Sequence, residues 1–280
     1  MRGGQGQSLM IGLSIAVFIA MAVCMAAGWA FQAWRKNGGW TDVFWSFSMG
    51  LVGALAALAP IDQPRPDGRQ ILVAILVALW SVRLGLHIRD RVVTTPEDAR
   101  YARFRQDWAP HFQRGMFGFL QIQAAAGALL LISVVVAAHN PAPGPSLLDA
   151  AGGAILIVAI LGEGLADNQL SDFAHDPANR GRVCDVGLWS WSRHPNYFFE
   201  WLGWLAYPLI ALDLSGSYLW ALGAMIAPIA MFWILRFGTG VPPLEEHMLA
   251  SRGEAFRAYQ ARVSPFFPLP PRTPPLLQQG

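Results

Sequence analysis

Seven long apolar runs, separated by polar connections, most constrain what this chain can fold into. A helix needs roughly 17–25 apolar residues to cross the hydrocarbon core of a bilayer. Hydrophobic residues form 54% of the 280 residues and charged residues only 14%, whereas soluble domains usually carry about 25% charged residues. We therefore predict an all-α integral membrane protein with seven transmembrane helices in one bundle. The runs occupy residues 10–34, 42–60, 71–86, 116–138, 147–166, 197–212 and 217–237.

Arginine-rich connections predict the orientation of these helices. Short cytoplasmic loops carry the excess of Lys and Arg in membrane proteins, and here the basic clusters follow the third, fifth and seventh runs, whereas residues 139–146 and 213–216 contain neither. We expect the amino terminus outside and the carboxyl terminus in the cytoplasm, in a multi-pass membrane protein. The clusters comprise Arg89, Arg91, Arg100, Arg103, Arg105, Arg114, Arg180, Arg182, Arg193, Arg252, Arg257, Arg262 and Arg272.

The chain shows no sign of a removable leader or of a second domain. Its first apolar run is too long for a signal-peptide core and is followed by Arg35 and Lys36 rather than by a small-residue cleavage site. We predict one domain over residues 1–280, with an irregular Pro-rich tail at 265–280. Nothing in the charge pattern indicates nucleic-acid binding or an obligate protein partner.

The two cysteines indicate neither a disulfide nor a metal site. Cys24 lies in an apolar run and Cys184 in a polar loop, so they are expected at different levels of the bilayer. There is no Cys-x-x-Cys pair and no pair of histidines at helical spacing, the patterns typical of zinc sites. We predict no bound metal.

The predicted fifth helix ends in a dense polar set. Helical spacing places Glu163 with Asp167, and Asn168 with Asp172, on shared faces. The following "DPANRGR" breaks the helix and presents Arg180 in a flexible loop with Arg182. Ionisable groups near membrane depth are costly and usually functional.

The stretch "SRHPNYFFEW" opens the predicted sixth helix with further polar residues. Pro195 suits the first turn of a helix, where its missing N–H costs nothing, and Asn196 and Glu200 then share one face. These residues and those of the fifth helix either cap helix ends and pair with one another, or hold a polar ligand. As a whole set, with arginines at the water edge, they favour a large anionic cofactor and a lipophilic co-substrate.

The segment "GLWSWSRHPNYFFEW", preceded by "DNQLSDF" and "NRGR" and followed by "TGVPPLEEHMLASRGEAFRAYQARVSPFFPLPPR", resembles the steroid 5α-reductase family, especially its bacterial integral-membrane branch. The likeness extends to "TDVFW", "VRLGLHIRDR" and "EDARYARFR". It implies NADPH-dependent reduction of the C4–C5 double bond of a 3-oxo-4-ene steroid, or of a similar hydrophobic enone that enters from the bilayer.

The resemblance implies a cofactor-binding region at about residues 120–272. An apparent dinucleotide motif, "GEGLAD" at 162–167, is a false positive because it lies within a predicted membrane helix with no preceding strand. The residues that the resemblance assigns to NADPH are Asn168, Asp172, Arg182, Asn196, Glu200, Arg83 and His87. We predict Arg180, Arg193, His194, Tyr197 and Glu246 as further residues of the cofactor site.

The residues at the positions of the family's proton donor differ in this chain. Animal members of the family carry a Gln-Glu pair in their second helix and a Tyr in their third, whereas this chain has "TDVFWSFSMG" and Trp80. Hydride transfer to an enone builds charge on the ketone oxygen, which needs a donor or acid. The candidates are Asp42, Tyr101 and Trp45, although Asp42 alternatively caps its helix.

Two other functions share part of the signal. Membrane methyltransferases that act on isoprenylated cysteine or on phospholipid amines also carry an "RHP-x-Y" stretch and a late Glu-Glu pair, here Glu245 and Glu246, that grips S-adenosylmethionine. A non-catalytic lipid-binding protein is the third alternative. The "DNQLSDF" segment and the amino-terminal helices favour the reductase.

Overall fold

The computed structural model describes residues 2–61 and 64–272, and this part of the chain is built from helices without a β-strand. The predicted all-α class is therefore confirmed for these residues. Residue Asp62 and the end of the predicted Pro-rich tail, from residue 273 onward, lie outside the described residues.

Eleven α-helices and three short 3-10 helices make up the described part of the chain. The 3-10 helices are Pro177–Asn179, Gly187–Ser190 and Leu219–Met225. The α-helices are α1 (Arg2–Arg35), α2 (Trp40–Ala57), α3 (Gly68–Thr94), α4 (Ala99–Asp107), α5 (Phe112–Ala138), α6 (Leu147–His175), α7 (Pro195–Trp204), α8 (Ala206–Ala211), α9 (Ile226–Phe237), α10 (Val241–Arg252) and α11 (Glu254–Arg262).

Five helical segments of the described chain are long and apolar enough to cross a membrane, which identifies a membrane protein. They correspond to the first, third, fourth, fifth and seventh predicted runs. The second run forms α2, which has 18 residues and is not among the five. The segments are Ser8–Arg35, Gly68–Thr94, Phe112–Ala138, Leu147–His175 and Leu219–Arg252.

The sixth predicted run, 197–212, forms two short helices rather than one continuous span. Helix α7 ends at Trp204, and α8 begins two residues later at Ala206. Pro208 explains the break, because it has no N–H to donate to the carbonyl of Trp204 and its ring crowds that carbonyl.

The chain forms two compact units. The first unit comprises Met1–Gly153 and Tyr207–Ala227, and the second comprises Ala154–Ala206 and Pro228–Gly280. The first therefore contains α1 to α5, and the second contains most of α6 together with α7, α9, α10 and α11. The single domain expected from the sequence stays a prediction.

Close packing of α2 on α3 depends on small residues in the first unit. The Ser81 hydroxyl donates a hydrogen bond of 2.7 Å to the carbonyl of Ser46. A Cβ atom at Gly50 would lie only 2.1 Å from the Ser81 oxygen. Small residues that let helix backbones approach are characteristic of helix pairs in membranes.

A buried ion pair fixes the connection between α5 and α6 in the first unit. Arg69 and Asp149 have side chains that are 2% and 1% exposed, and Arg69 Nε donates to Asp149 Oδ1 at 2.7 Å. The same guanidinium donates to the carbonyls of Asn140 and Ala142, both at 2.6 Å. The arginine thus ties the start of α3 to the loop before α6.

Removing the acidic partner should destabilise the first unit strongly. We expect Asp149→Ala to lower the free energy of unfolding by about 3–5 kcal/mol, because it leaves an uncompensated buried guanidinium. The control is Asp90→Ala, since Asp90 pairs with Arg89 but is 68% exposed, and exposed pairs contribute little. Thermal unfolding in detergent measures both, and equal midpoints for the two variants would contradict the expectation.

Candidate functional site

Helices α6 and α7 pack against each other in antiparallel directions within the second unit. A Cβ atom at Gly162 would lie 2.4 Å from the Phe199 ring, and one at Gly203 would lie 2.9 Å from Leu156. A contact that lies nearer the end of α6 therefore lies nearer the start of α7. The two glycines allow this close approach, because any larger side chain would push the helices apart.

This register brings the two predicted polar sets together. Asn196 Nδ2 donates to Asp167 Oδ1 at 3.3 Å, and the same register places Glu200 at the level of Glu163. Both of these glutamates are buried, at 8% and 6% exposed. Trp204 Nε1 donates to Glu200 Oε1 at 2.9 Å. Asn196 and Glu200 thus lie on the side of α7 that meets Asp167 and Glu163 of α6, and their role in cofactor binding stays a prediction.

Asn168 and Asp172 lie on a different side of α6. Both side chains are exposed, whereas Glu163 is buried on the α7-facing side of the helix. Sequence reasoning grouped Asn168 and Asp172 with Asn196 and Glu200, but the structure pairs Asn196 with Asp167. The role of Asn168 and Asp172 in cofactor binding stays a prediction.

The turn before α7 is held by the carboxyl-terminal segment. The Ser192 hydroxyl donates to the carbonyl of Phe266 at 2.8 Å, and the Arg193 N–H donates to the carbonyl of Ser264 at 2.8 Å. Ser192 and Ser264 also form an isolated parallel bridge. Residues 264–266 are therefore part of the site's framework, although the sequence indicated only an irregular tail there.

Trp189 and Tyr259 anchor the same turn from two further directions. The Trp189 indole N–H donates to the carbonyl of Ala166 on α6 at 2.9 Å. The Tyr259 hydroxyl, on α11, donates to the carbonyl of Trp189 at 2.6 Å. Burial raises the pKa of Tyr259 above its usual value, so this hydroxyl remains a donor at neutral pH.

The Arg193 side chain is engaged almost completely within the protein. Its Nε and Nη2 donate to the two carboxylate oxygens of Glu245 at 2.7 and 3.1 Å. Its Nη1 donates to the carbonyls of Gln260 and Val263 at 3.1 and 2.8 Å. The predicted phosphate ligand Arg193 thus joins α10, α11 and the turn before α7.

His194 shares the same acidic partner. Its Nε2 lies 3.1 Å from Glu245 Oε1, and its ring stacks on Tyr197 with centroids 5.6 Å apart and an interplanar angle of 11°. Burial lowers the pKa of His194, Arg193 and Arg236 add to this effect, and Glu245 opposes it. The imidazole is therefore neutral at physiological pH.

Glu245 is the site residue that sequence reasoning did not select. The sequence shows the acidic pair at 245 and 246 and predicts Glu246 as the cofactor ligand. In the structure Glu246 is exposed, whereas Glu245 binds Arg193, His194 and Gln260. The acidic pair was visible in the sequence, but which of its two residues faces the site depends on how α10 is rotated about its axis.

The loop after α6 presents two exposed arginines, as predicted. Helix α6 ends at His175, and Asp176 caps the following 3-10 helix by accepting from the Ala178 N–H at 2.9 Å. Gly181 has a φ of 83°, a backbone conformation that favours glycine. Arg180 and Arg182 flank it and are exposed, so their guanidinium groups are accessible to an anion.

Two of the three predicted catalytic residues meet in the first unit. The Tyr101 hydroxyl donates to Asp42 Oδ1 at 2.6 Å, and Arg100 Nη2 donates to Asp42 Oδ2 at 2.8 Å. Thr41 Oγ1 lies 3.0 Å from the Tyr101 oxygen. Asp42 does not cap α2, because Gly39 is the N-cap residue. The cluster joins the first turn of α2 to α4.

Tyr101 is the buried acid of this cluster. It is fully buried, and burial, followed by the Asp42 carboxylate, raises its pKa well above the usual value. Asp42 also lines a cavity of about 100 Å³ together with Arg91, Thr95 and Asp98. A cavity of this size holds a few water molecules, but it is too small for a nucleotide.

The remaining predicted residues of the first unit lie elsewhere. Trp45 Nε1 donates to the carbonyl of Gln123 at 3.4 Å, and its ring meets Trp80 edge-on at 6.4 Å. Trp45 therefore does not join the Asp42 cluster through its N–H. Arg83 and His87 lie on α3, half-buried and exposed respectively. Over residues 2–61 and 64–272, no group of three or more potential metal ligands is present.

Comparison with known proteins gives a family and one distant relative. The family described as "protein of unknown function (DUF1295)" matches residues 28–263. An uncharacterized protein of Schizosaccharomyces pombe is 26% identical over 268 residues, which cover 86% of this chain and 75% of the relative. No solved structure matches.

Filling the contact between α6 and α7 should disrupt the site. We expect Gly162→Val to lower the free energy of unfolding by about 1–3 kcal/mol, because its side chain would overlap the Phe199 ring and force the helices apart. The control is Gly118→Val, since a Cβ at Gly118 meets no atom within 4 Å. Thermal unfolding in detergent compares the two, and similar midpoints would show that α6 and α7 do not approach closely.

Proposed function

The chain belongs to the DUF1295 family, which includes steroid 5α-reductase-like membrane proteins, and we propose that it reduces a hydrophobic enone with NADPH. The substrate is a 3-oxo-4-ene steroid or a similar lipid that enters from the bilayer. Hydride adds to the β-carbon of the enone and a proton ends on the α-carbon, so each turnover consumes one NADPH and one proton.

The observation that carries this proposal is the polar contact between α6 and α7. Asn196 meets Asp167, and the buried Glu163 and Glu200 lie at the same level of two largely apolar helices. Carboxyl and amide groups inside a membrane protein are expensive and are usually kept for a ligand. Such groups suit the amide and ribose portions of a nicotinamide cofactor.

The cofactor phosphates are assigned to the exposed arginines of the loop after α6. Arg180 and Arg182 are exposed on either side of Gly181, and guanidinium groups bind phosphate oxygens in a bidentate manner. Arg193 is reassigned from phosphate binding to support of the turn, because Glu245 and two backbone carbonyls already occupy its donors. NADPH, when bound, supplies the hydride.

The proton is assigned to the Asp42 and Tyr101 pair of the first unit. The short hydrogen bond between them and the raised pKa of Tyr101 keep a proton on the phenol. An acid of this kind can neutralise the charge that develops on the ketone oxygen of an enone. The water-sized cavity beside Asp42 can return a proton from solvent.

The seven-span topology is part of the same proposal. Helix α2 has 18 residues and extends about 27 Å at 1.5 Å per residue, close to the hydrocarbon thickness. Helices α7 and α8 together supply the sixth span. The distribution of arginines supports an amino terminus outside and a carboxyl terminus in the cytoplasm, in the bacterial inner membrane that the resemblance implies.

One observation favours the methyltransferase as the second candidate. The "RHP" residues and the late acidic pair, which that class uses for S-adenosylmethionine, meet through Glu245, Arg193 and His194. These contacts join protein residues to one another, so they can support a binding site for NADPH as well as one for S-adenosylmethionine.

Cofactor consumption separates the two candidates. Purified protein in detergent should oxidise NADPH when a 3-oxo-4-ene steroid is present, and Asn196→Ala should lower the rate at least tenfold because it removes the amide from the α6 contact. Absorbance at the nicotinamide band and mass spectrometry of the steroid follow the reaction, with Arg257→Ala as the control, because the Arg257 side chain is exposed on α11. Methyl transfer from S-adenosylmethionine without NADPH oxidation would overturn the proposal.

The acid pair has a separate kinetic signature. We expect Asp42→Asn and Tyr101→Phe to lower kcat about 100-fold, in the range typical of general acid catalysis, while the affinity for NADPH stays unchanged. Stopped-flow turnover and fluorescence titration with NADPH measure the two quantities, and Glu254→Gln is the exposed control. If kcat is unchanged in folded variants, the pair only braces α4 against α2.

A further inference from the structure

The His194 ring is held by its contacts with Glu245 and Tyr197, and its Nδ1 atom accepts no hydrogen bond from the described residues. Its backbone N–H donates to the Ser192 hydroxyl at 3.1 Å, its Nε2 faces Glu245, and its ring lies flat against Tyr197. We propose that Glu245 is a positioning residue that holds His194 in the Nε2–H tautomer, so that His194 Nδ1 accepts a hydrogen bond from a hydroxyl or amide group of the bound cofactor. The cofactor part of this inference rests on the proposed function.

The hydrogen bonds of Glu245 determine the tautomer. Its Oε1 accepts from Arg193 Nε at 2.7 Å, and its Oε2 accepts from Gln260 Nε2 at 2.7 Å and from Arg193 Nη2 at 3.1 Å. A carboxylate in a two-bond contact with a guanidinium is ionised and can only accept. His194 Nε2, at 3.1 Å from Oε1, must therefore carry the proton.

The other nitrogen, Nδ1, then carries a lone pair. Burial keeps the imidazole neutral, and the positive charges of Arg193 and Arg236 oppose a second proton, against the single negative charge of Glu245. A neutral imidazole with hydrogen on Nε2 has an acceptor at Nδ1. The stacked Tyr197 ring holds the imidazole plane and so limits the direction of this lone pair.

The lone pair on Nδ1 can bind only a group that donates a hydrogen bond. Among residues 2–61 and 64–272, no side chain or backbone group donates a hydrogen bond to His194 Nδ1, so the donor comes from water or from a ligand. A phosphate diester or carboxylate has no proton to offer at neutral pH and would be repelled. A ribose hydroxyl or a nicotinamide carboxamide N–H fits.

This assignment divides the cofactor between two parts of the second unit. His194 recognises an uncharged hydroxyl or amide portion, and Arg180 and Arg182 keep the phosphates. S-adenosylmethionine also carries ribose hydroxyls, so the recognised group is common to both candidate cofactors. The two nucleotides are therefore separate arms of one experiment.

Nitrogen-15 spectroscopy reads the tautomer directly. The full-length protein, labelled at its six histidines and held in detergent, should show His194 with a protonated-type Nε2 and a lone-pair-type Nδ1. The His194→Gln variant identifies the signals by their loss. Saturation with NADPH should shift the Nδ1 signal more than the Nε2 signal. A protonated Nδ1 in the free protein overturns the inference.

Matched variants separate positioning from simple structural support. His194→Gln can still donate to Glu245 through its amide but has no acceptor at the Nδ1 position, so it should keep the thermal midpoint and weaken NADPH binding about two- to tenfold. His247→Gln, at an exposed position of α10, should change neither. An unchanged affinity in His194→Gln overturns the acceptor role.

Glu245→Gln tests the positioning itself. Its amide can donate to Nε2, so a population with hydrogen on Nδ1 should appear, and NADPH affinity should fall in parallel with it. If this variant unfolds, the His194→Gln titration alone still decides the acceptor role.

The nucleotide arms keep the two proposals distinct. If S-adenosylmethionine shifts Nδ1 and NADPH does not, the positioning inference stands and the reductase proposal falls. If NADPH binds with no shift of Nδ1, the reductase proposal stands and the inference falls.

Discussion

The close antiparallel contact of α6 and α7 is the constraint on which the candidate site depends. It exists because Gly162 and Gly203 remove the side chains that would separate the helices. Within apolar surroundings every polar group needs a partner, so once the backbones approach, Asp167 and Asn196 are left to meet each other. Gly162 and Gly203 therefore help to position the polar residues of the site, because they let the two helices approach each other closely.

Two buried arginines of the described chain are held by carboxylates. Arg69 is paired with Asp149 and Arg193 with Glu245, since an unpaired charge away from water costs several kcal/mol. The two pairs differ in what else they contact. The first closes a loop, and in the second Glu245 also contacts His194. Arg100 pairs with Asp42 as well, but its side chain is 44% exposed, and the Asp42 carboxylate also accepts from the buried Tyr101 hydroxyl.

Local chemistry made part of the site predictable. Pro195 does begin α7, and "DPANRGR" does end α6 and expose Arg180 and Arg182, because proline and glycine restrict or release the backbone wherever they occur. Which of two adjacent polar residues faces the site was less predictable. Asn168 and Asp167 are adjacent in sequence, and so are Glu245 and Glu246, but in each pair one residue points inward and the other is exposed.

The sequence by itself determined the helical membrane class, the polar break after the fifth apolar run, and the short list of residues from which the site is drawn. Hydropathy and helical spacing are local properties, so they can be read from neighbouring residues. Tertiary structure alone decided that Tyr101 meets Asp42 and that Glu245 meets Arg193 and His194. These partners lie on different elements of the fold, far apart in the chain. Their meeting depends on helix rotation and approach, which are set by packing rather than by any local pattern.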